Sequence, residues 1–409
     1  CVACEAFYTE GQLEPGNLCP IHKREVSWVS EPSYFFRMSK YAEPLLAHFE
    51  AHPDFVRPEN YRNEIISFIK GGLRDLSVSR TSFSWGISVP GDSRHVIYVW
   101  IDALTNYISA LGGEGGSLYQ RYWPATCHLI GKDILRFHAV YWPCMLMSAG
   151  LPLPKTIFTT GFWTVRGTKI SKSMPATRIE PTVLADDIGV DALRYFLLRE
   201  VPLGLDGDFS YDALLGRYNA DLANDLGNLL NRTLTMTGKF CDGKVPARSS
   251  DLVDVAHHGV LARAARESMT QAAKHFENVA LSRALESIWS LVREANRYID
   301  ACQPWKLAKQ IKADPQAEGV AAVRVELDHA MRCALEALLC AARMAAPVMP
   351  HKAAELLGQL GLEGEDRAEV LGSWPEPDSF GLQLQAGLTV QRGEVLFPRI
   401  DKERQAELM

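Results

Sequence analysis

Four residues near the start of the chain, Cys1, Cys4, Cys19 and His22, are spaced as two donor pairs, Cys-x-x-Cys and Cys-x-x-His. Such pairs suit tetrahedral Zn²⁺, because each tight turn aims two donors at one ion and all four ligands then come from protein. The expected site is closed and structural, without a catalytic water, and its metal would supply folding free energy to a segment with little core of its own. Reduced surface cysteines beside an unrelated histidine are the alternative. Cys127, Cys144, Cys241, Cys302, Cys333 and Cys340 are scattered through apolar or helical stretches. That pattern fits thiols in a reducing compartment, so a cytoplasmic location is expected.

Four further segments carry groups suited to a phosphorylated or amphiphilic ligand. Asp75-Leu76-Ser77-Val78-Ser79-Arg80 ends in an arginine that can clamp a phosphate or carboxylate. In Tyr98-Val99-Trp100-Ile101-Asp102-Ala103-Leu104-Thr105-Asn106-Tyr107 a strand is expected to run into a helix, with Trp100, Ala103, Leu104 and Tyr107 on one side. By spacing alone that stripe is more often core than a pocket wall. Leu129-Ile130-Gly131-Lys132-Asp133 reads as a strand ending at a glycine, where a ligand can approach the backbone. Its aspartate falls where α/β nucleotide folds contact ribose hydroxyls. Ile134 and His138 follow one turn apart and share a face; a buried histidine with a backbone partner is the plainer reading of His138. Lys169-Ile170-Ser171-Lys172-Ser173 carries two lysines that can follow a phosphate chain as charge builds on it. Their role would be positioning and electrostatic stabilisation, not covalent catalysis. The stretch before it, Phe158 to Gly167, reads as a hairpin turning at Arg166-Gly167.

The elements that must position these groups change character halfway along the chain. Up to about Pro202, short β-branched runs such as Val96-Ile97-Tyr98-Val99 and His128-Leu129-Ile130 alternate with helical stretches. This predicts a parallel α/β sheet with its ligand crevice at the carboxyl ends of the strands. From Asp206 onward the pattern is helical: Ile288, Leu291, Val292, Ala295, Tyr298 and Ile299 mark one face. Ala213 to Thr237, Leu261 to Phe276, Leu281 to Cys302 and Ala321 to Ala346 are predicted helices of a bundle. Leu382 to Ile400 alternates again and is expected to lie back on the body as an extended tail.

The 409 residues are 47% apolar and 22% charged with a formal charge of −6, which excludes low-complexity disorder and a generally basic nucleic-acid coat. A local basic face between Arg263 and Lys309 suits either an RNA path or an ordinary solvated helix surface. The most apolar tract, Ala334 to Met349, is broken by Glu336, Arg343 and Pro347 and falls short of the roughly 20 residues of a spanning helix, so no membrane association is expected.

In the helical half, Asn228 and Arg232 fall one turn apart beside Leu226, Leu229 and Leu230. Trp305 follows Gln303-Pro304 at a helix break, where proline suits the first position of a new helix. Unstacked RNA bases are read by aromatic stacking and by hydrogen bonds to their edges, which this Trp/Asn/Arg set can supply. By pattern alone Trp305 reads more readily as core.

In the order and spacing of these elements, over almost the whole chain, the sequence resembles the bacterial methionyl-tRNA synthetases, which are class I aminoacyl-tRNA synthetases. The resemblance implies the second half of an α/β Rossmann-type catalytic domain, with a zinc knuckle in a connective insertion, followed by an α-helical bundle anticodon-binding domain. The domains expected on that basis are the connective insertion at 1–75, the second Rossmann half at 76–155, and the lysine loop and stem-contact region at 156–205. The anticodon-binding domain at 206–381 and a C-terminal tail at 382–409 complete the set.

The resemblance also implies a reaction, the ATP-dependent activation of L-methionine to methionyl-adenylate, with Mg²⁺ accompanying ATP, and transfer to tRNA(Met). Lys169 and Lys172 become the catalytic, ATP-binding lysines of the family's Lys-Met-Ser-Lys-Ser loop. Ile170 replaces the usual Met, and Met174-Pro175 replaces the commoner Leu-Gly. Trp100, Ala103, Leu104, Tyr107, Ile134 and His138 line the methionine side-chain pocket, an aromatic box suited to a flexible, polarizable thioether. Gly131 and Asp133 contact the adenosine ribose, and Arg80 lies beside the amino acid and phosphates. Cys1, Cys4, Cys19 and His22 hold the structural zinc, and Asn228, Arg232 and Trp305 read the anticodon, with Trp305 stacking on its first base.

The family's His-x-Gly-His element, which holds ATP, occurs nowhere in these 409 residues, and the knuckle normally follows a first Rossmann half. The expectation is that this polypeptide alone does not complete methionine activation and that an N-terminal part of the same enzyme supplies the rest. Two rival readings differ in what they require. A leucyl, isoleucyl or valyl synthetase needs a large editing insertion, for which there is no room between Asp75 and Lys169. A non-catalytic, zinc-containing tRNA-binding protein derived from a synthetase is supported by the missing nucleotide motif only if the gene begins at Cys1. No appended dimerising module follows Met409, so a monomer is expected.

Overall fold

The computed structural model describes residues 1, 8, 10–21, 23–28, 31–170, 178–249 and 256–408. They form two compact units, Cys1–Phe162 and Trp163–Met409.

The first unit opens on a turn-rich segment in which Leu18 bridges both Glu14 and Glu25. Asn17 and Lys23 take left-handed backbone conformations that double the chain back on itself, and Cys19 is fully buried between them. The elements that follow are β1 (Phe35–Phe36), α1 (Ala42–Ala51), β2 (Val56–Arg57), α2 (Glu59–Lys70), β3 (Leu76–Ser77), β4 (Ser79–Arg80), β5 (Ser88–Val89) and β6 (Asp92–Ile97). After these come α3 (Val99–Ser109), α4 (Ser117–Tyr122), β7 (His128–Gly131), α5 (Trp142–Ala149) and β8 (Ile157–Thr160).

The expected parallel sheet is present. β8 lies in its centre with Ile157, Phe158 and Thr159 buried, and β2 and β7 flank it in parallel, His128 opposite Ile157 and Gly131 opposite Thr160. Helix α2 covers it with Tyr61, Ile65 and Ile69, four residues apart and so on one stripe, packed with Leu45 and Phe49 of α1. A second, antiparallel sheet orders β4, β6 and β5. The strand predicted over Val96 to Val99 stops early, at Ile97. The Tyr98 amide is taken by the Val78 carbonyl while its own carbonyl accepts from Ile101, so Tyr98 already caps α3 and Val99 is helical.

The second unit begins with β9 (Trp163–Val165) and β10 (Thr168–Lys169), an antiparallel pair joined at Arg166 and Gly167. Both turn residues have positive φ, the two-residue geometry that matches strand twist. Then follow α6 (Pro181–Ile188), α7 (Val190–Glu200), β11 (Gly207–Asp208), α8 (Tyr211–Arg217), α9 (Asn228–Phe240), α10 (Ala256–Glu277), α11 (Leu281–Cys302) and α12 (Pro304–Ala313). Helices α13 (Val320–Ala345), α14 (Pro350–Gln359), α15 (Gly364–Leu371) and α16 (Lys402–Leu408) close the bundle.

All six residues of the predicted α11 stripe are buried, from Ile288 to Ile299. The helix predicted from Ala213 to Thr237 is interrupted by a wider, π-type turn over Tyr218–Gly227. Side chains from α11 enter its hydrogen-bond ladder there: Trp289 Nε1 donates to the Asp221 carbonyl and Asn296 Nδ2 to that of Asp225.

The predicted tail does lie back on the bundle. Thr389 bridges Lys244, the Val245 and Val390 amides bond across to Leu388 and Gly243, and Leu396 and Phe397 are buried. A buried pair on α13 pins the same region. Arg332 donates to the carbonyls of Pro246, Gly381 and Leu384, while Glu336 accepts from the Leu384 amide.

Candidate active site

Helix α3 forms one wall of the site. Trp100 and Tyr107 are half-buried, Leu104 is buried in the adjoining core and Ala103 is exposed. The facing wall is a short 3₁₀ turn, Lys132–Ile134, running into a π turn over Phe137–Tyr141 that carries His138. Such widened turns recur at functional sites because they rotate side chains out of ordinary helical register.

The two walls meet in one hydrogen bond, Tyr107 Oη to His138 Nε2 at 3.0 Å. His138 Nδ1 lies 3.0 Å from the Ile134 carbonyl. A carbonyl only accepts, so Nδ1 carries the proton and Nε2 is left to accept from the phenol. His138 is therefore both things the sequence left open, a buried histidine with a backbone partner and a member of the box. Burial lowers the His138 pKa and raises that of Tyr107, so the pair is neutral at pH 7.

Sequence reasoning missed two aromatic supports. Phe137 stacks face to face on Trp100, centroids 3.8 Å apart at 9°, and His128 lies against Tyr107 at 4.1 Å. Burial, reinforced by nearby His138, pushes the His128 pKa down to about 4. His128 opens β7 in an alternating strand, the one signal that could have placed it on an inward face.

Gly131 ends β7, at the carboxyl edge where a ligand crevice was expected, with half-buried Asp133 two residues on. A Cβ on Gly131 would stand 2.7 Å from Asp133 Oδ1, so a side chain there would displace the carboxylate. Lys132 extends over the Phe162 ring at 4.6 Å.

Arg80 sits on β4, buried, with its guanidinium over the Tyr98 ring at 4.3 Å. It donates to Ser77 Oγ and the Ser79 carbonyl and lies 3.8 Å from Glu31. Glu31 in turn accepts from the amides of Thr81 (2.7 Å) and Ser82 (3.0 Å). Burial alone would raise the Glu31 carboxyl, but those hydrogen bonds and the Arg80 guanidinium bring it below the usual range.

In the second unit, Lys169 is half-buried at the end of β10, opposite Thr164. Asp208 clamps that hairpin, accepting from the Gly167 amide (2.9 Å) and Thr164 Oγ1 (2.6 Å), bonds that hold its carboxyl below the usual range. Lys172 lies outside the described residues.

Farther along this unit, Gln303 takes a left-handed conformation between α11 and α12, and Pro304 opens the new helix. Trp305 is consequently 41% exposed, not core. Arg232 pairs with Asp300 at 2.6 Å, which ties α9 to the last turn of α11 next to that break, and Asn228 is exposed one turn earlier on α9.

Of the four N-terminal donors, Cys19 is buried and Cys1 half-buried. The Cys19 carbonyl accepts from the Lys23 amide at 2.9 Å, closing the expected turn. Cys4 and His22 lie outside the described residues, and no group of three or more His, Cys, Asp or Glu that could hold a metal ion occurs among the described ones. No helix among them is long and apolar enough to cross a membrane.

A parallel sheet carrying an aromatic box, joined in sequence to a lysine-bearing hairpin and a helical bundle, is the arrangement that comparison with known proteins makes specific. Residues 1–234 match the family model described as tRNA synthetases class I (M), and residues 254–409 match the anticodon binding domain of methionyl tRNA ligase. The chain is 48% identical to the methionine–tRNA ligase of Caldanaerobacter subterraneus subsp. tengcongensis, covering 99% of this chain and 60% of that protein. It is also 48% identical to that of Rickettsia bellii, over 89% of this chain and 69% of the relative. The Mycobacterium tuberculosis methionyl-tRNA synthetase solved in complex with methionyl-adenylate superimposes with a TM-score of 0.86 at 42% identity, covering 97% of this chain and 75% of that one. The chain belongs to the methionyl-tRNA synthetase family of class I aminoacyl-tRNA synthetases.

Proposed function

We propose that this chain carries the methionine pocket, the lysine loop and the anticodon-reading bundle of a methionine–tRNA ligase, which joins L-methionine to ATP as methionyl-adenylate and then transfers it to tRNA(Met). The observation that carries this reading is the neutral Tyr107–His138 hydrogen bond closing a box with Trp100, Phe137 and Ile134. Aromatic faces attract a polarizable sulfur, and an uncharged polar pair at the floor tolerates a thioether without demanding a hydrogen bond that a methionine side chain lacks. The relatives named above and the adenylate-bound neighbour support it. The test is methionine-dependent exchange of pyrophosphate into ATP by the complete gene product. Exchange that follows methionine, with a Michaelis constant raised in Tyr107→Phe, is expected. Exchange driven equally by leucine or norvaline, or none at all, overturns the reading.

In this reading Gly131, Asp133 and Arg80 face the nucleotide and carboxylate, and Lys169 and Lys172 neutralise the phosphates, with Mg²⁺ on ATP. Asn228, Arg232 and Trp305 hold anticodon bases. The proposed working boundaries are 1–75, 76–155, 156–205, 206–381 and 382–409. Zinc on Cys1, Cys4, Cys19 and His22 is supported by the closed turn after Cys19 and by a fully buried thiol in a segment with little core of its own. When bound, the ion would supply folding free energy and no chemistry. A cytoplasmic monomer fits the reduced cysteine pattern and the class of reaction.

A further inference from the structure

His95 is a buried histidine that this reading leaves without a task. It lies on β6 two residues before Ile97, which pairs with Ser79 of β4, so His95 and Ser79 share one face of that sheet. The histidine is 7% exposed and the serine fully buried. His95 Nδ1 stands 2.9 Å from Ser79 Oγ, and Asp92 Oδ2 lies 3.9 Å from Nε2. The carboxylate favours the tautomer protonated at Nε2, so Nδ1 accepts from the Ser79 hydroxyl. Ser79 Oγ in turn accepts from the Tyr34 amide at 2.9 Å, and the Tyr34 phenol closes the circuit on Asp92 at 3.2 Å. Aspartate, histidine and serine stand here in the order of a hydrolytic triad. Full burial denies the Ser79 oxygen a substrate, and the circuit leads elsewhere.

The Arg80 guanidinium donates to Ser77 Oγ at 3.0 Å and to the Ser79 carbonyl at 2.6 Å. An arginine only donates, so the Ser77 hydroxyl turns its own proton to Ser33 Oγ, 2.6 Å away, and Ser33 donates to the Ser79 carbonyl at 3.1 Å. Ser79 is therefore the common member of two branches. Its carbonyl carries the guanidinium, directly and through the two serines, and its hydroxyl is held by the histidine. Arginine is a long side chain whose fixed fork is useful only when it is aimed.

We propose that His95 is a positioning residue for methionine activation. By holding the Ser79 hydroxyl it fixes the stretch of β4 on which the Arg80 guanidinium rests, and so the direction in which Arg80 meets the amino-acid carboxylate and the phosphates. The proposal rests on the role given to Arg80 above. Without the imidazole the Ser79 hydroxyl loses its acceptor in a buried place, and β4 has to shift or rotate to satisfy it. A displacement of about 1 Å in a group that grips the reacting molecule is enough to cost about a hundredfold in rate. If packing alone were at stake, an apolar side chain of similar size would serve, since a buried polar circuit brings no stability that such a side chain lacks.

The experiment measures methionine-dependent pyrophosphate exchange by the complete gene product, for wild type, His95→Leu, His95→Asn and Ser79→Ala, each also in an Arg80→Lys background. In the Arg80 background kcat/KM for ATP should fall about ten- to a hundredfold in His95→Leu and in Ser79→Ala. His95→Asn, whose amide oxygen can stand where Nδ1 stood, should recover most of that loss. With Arg80 already replaced, the same substitutions should cost less than about twofold further, because a residue that acts through Arg80 then has nothing left to aim. Losses of equal size in both backgrounds overturn the proposal. So does exchange within about twofold of wild type in Ser79→Ala or His95→Leu, or an asparagine variant no better than the leucine one. If His95→Leu does not fold, Ser79→Ala, which removes a single oxygen, carries the same comparison. Absence of exchange in the wild type removes the role of Arg80 and the proposal with it, and is told apart by occurring before any substitution.

Discussion

Tyr107 and His138 share one proton-ordered hydrogen bond whose direction is set by the Ile134 carbonyl on the far side of the imidazole. Tyr107→Phe leaves His138 Nε2 buried without a donor, a loss of about 1–3 kcal/mol. The expected outcome is a methionine Michaelis constant raised roughly tenfold in pyrophosphate exchange, with kcat changed less. His128 gives a prediction with a pH sign. Its pKa of about 4 in the folded chain lies below its ordinary 6.5, so the unfolded chain binds the proton first. Stability from this group is complete above about pH 6.5 and is lost as pH falls toward 4. His128→Phe, which keeps the ring against Tyr107, should flatten that part of the urea-midpoint profile; an unchanged slope would show that His128 is not held neutral. At this scale the residues alone pointed to shared faces, not to a pocket. Spacing put Trp100 with Tyr107 and Ile134 with His138 on shared faces, and only the family resemblance joined them as a pocket; Phe137 and His128 stood out by neither, because their contacts are made across elements that sequence periodicity treats one at a time.

At the level of elements, local chemistry was read well where the backbone itself dictates it. Arg166-Gly167 demanded a two-residue hairpin and Gln303-Pro304 a helix break, but the pattern reading of Trp305 as core fails, because the left-handed Gln303 turns α12 so that the ring is 41% exposed. The π turn over Tyr218–Gly227 was not legible, since side chains of α11 enter its ladder, as Trp289 does at Asp221. Trp305→Ala should weaken tRNA binding by about 1–3 kcal/mol while leaving methionine activation unchanged, as charging and exchange assays run side by side would show. Arg332→Met would leave Glu336 buried and uncompensated on α13, beside the tail it pins. Removing one partner of such a pair costs about 3–5 kcal/mol, so the melting temperature of the bundle should drop by several degrees or more. Glu336→Gln combined with Arg332→Met should recover part of it. For the N-terminal segment, stoichiometric zinc in freshly purified protein, lost in Cys19→Ser, is the expected result of metal analysis.

Taken whole, the chain spans 60% of the length of the Caldanaerobacter ligase; the catalytic model of the family matches residues 1–234, across the boundary between the two units, and the anticodon-binding model residues 254–409. The change from α/β to helical grammar near residue 200 falls inside the second unit, which begins at Trp163 with a hairpin, so the pattern located the helical bundle and not the boundary of the compact unit. On the proposed function, the box is the part that selects methionine and the bundle the part that selects the tRNA that receives it. The most direct test of this account is methionine-dependent pyrophosphate exchange followed by tRNA charging in the complete gene product, across methionine, leucine, isoleucine and valine. The account predicts exchange and charging with methionine at rates at least a hundredfold above the other three. Equal use of a branched amino acid, or tRNA binding without any exchange, would contradict it.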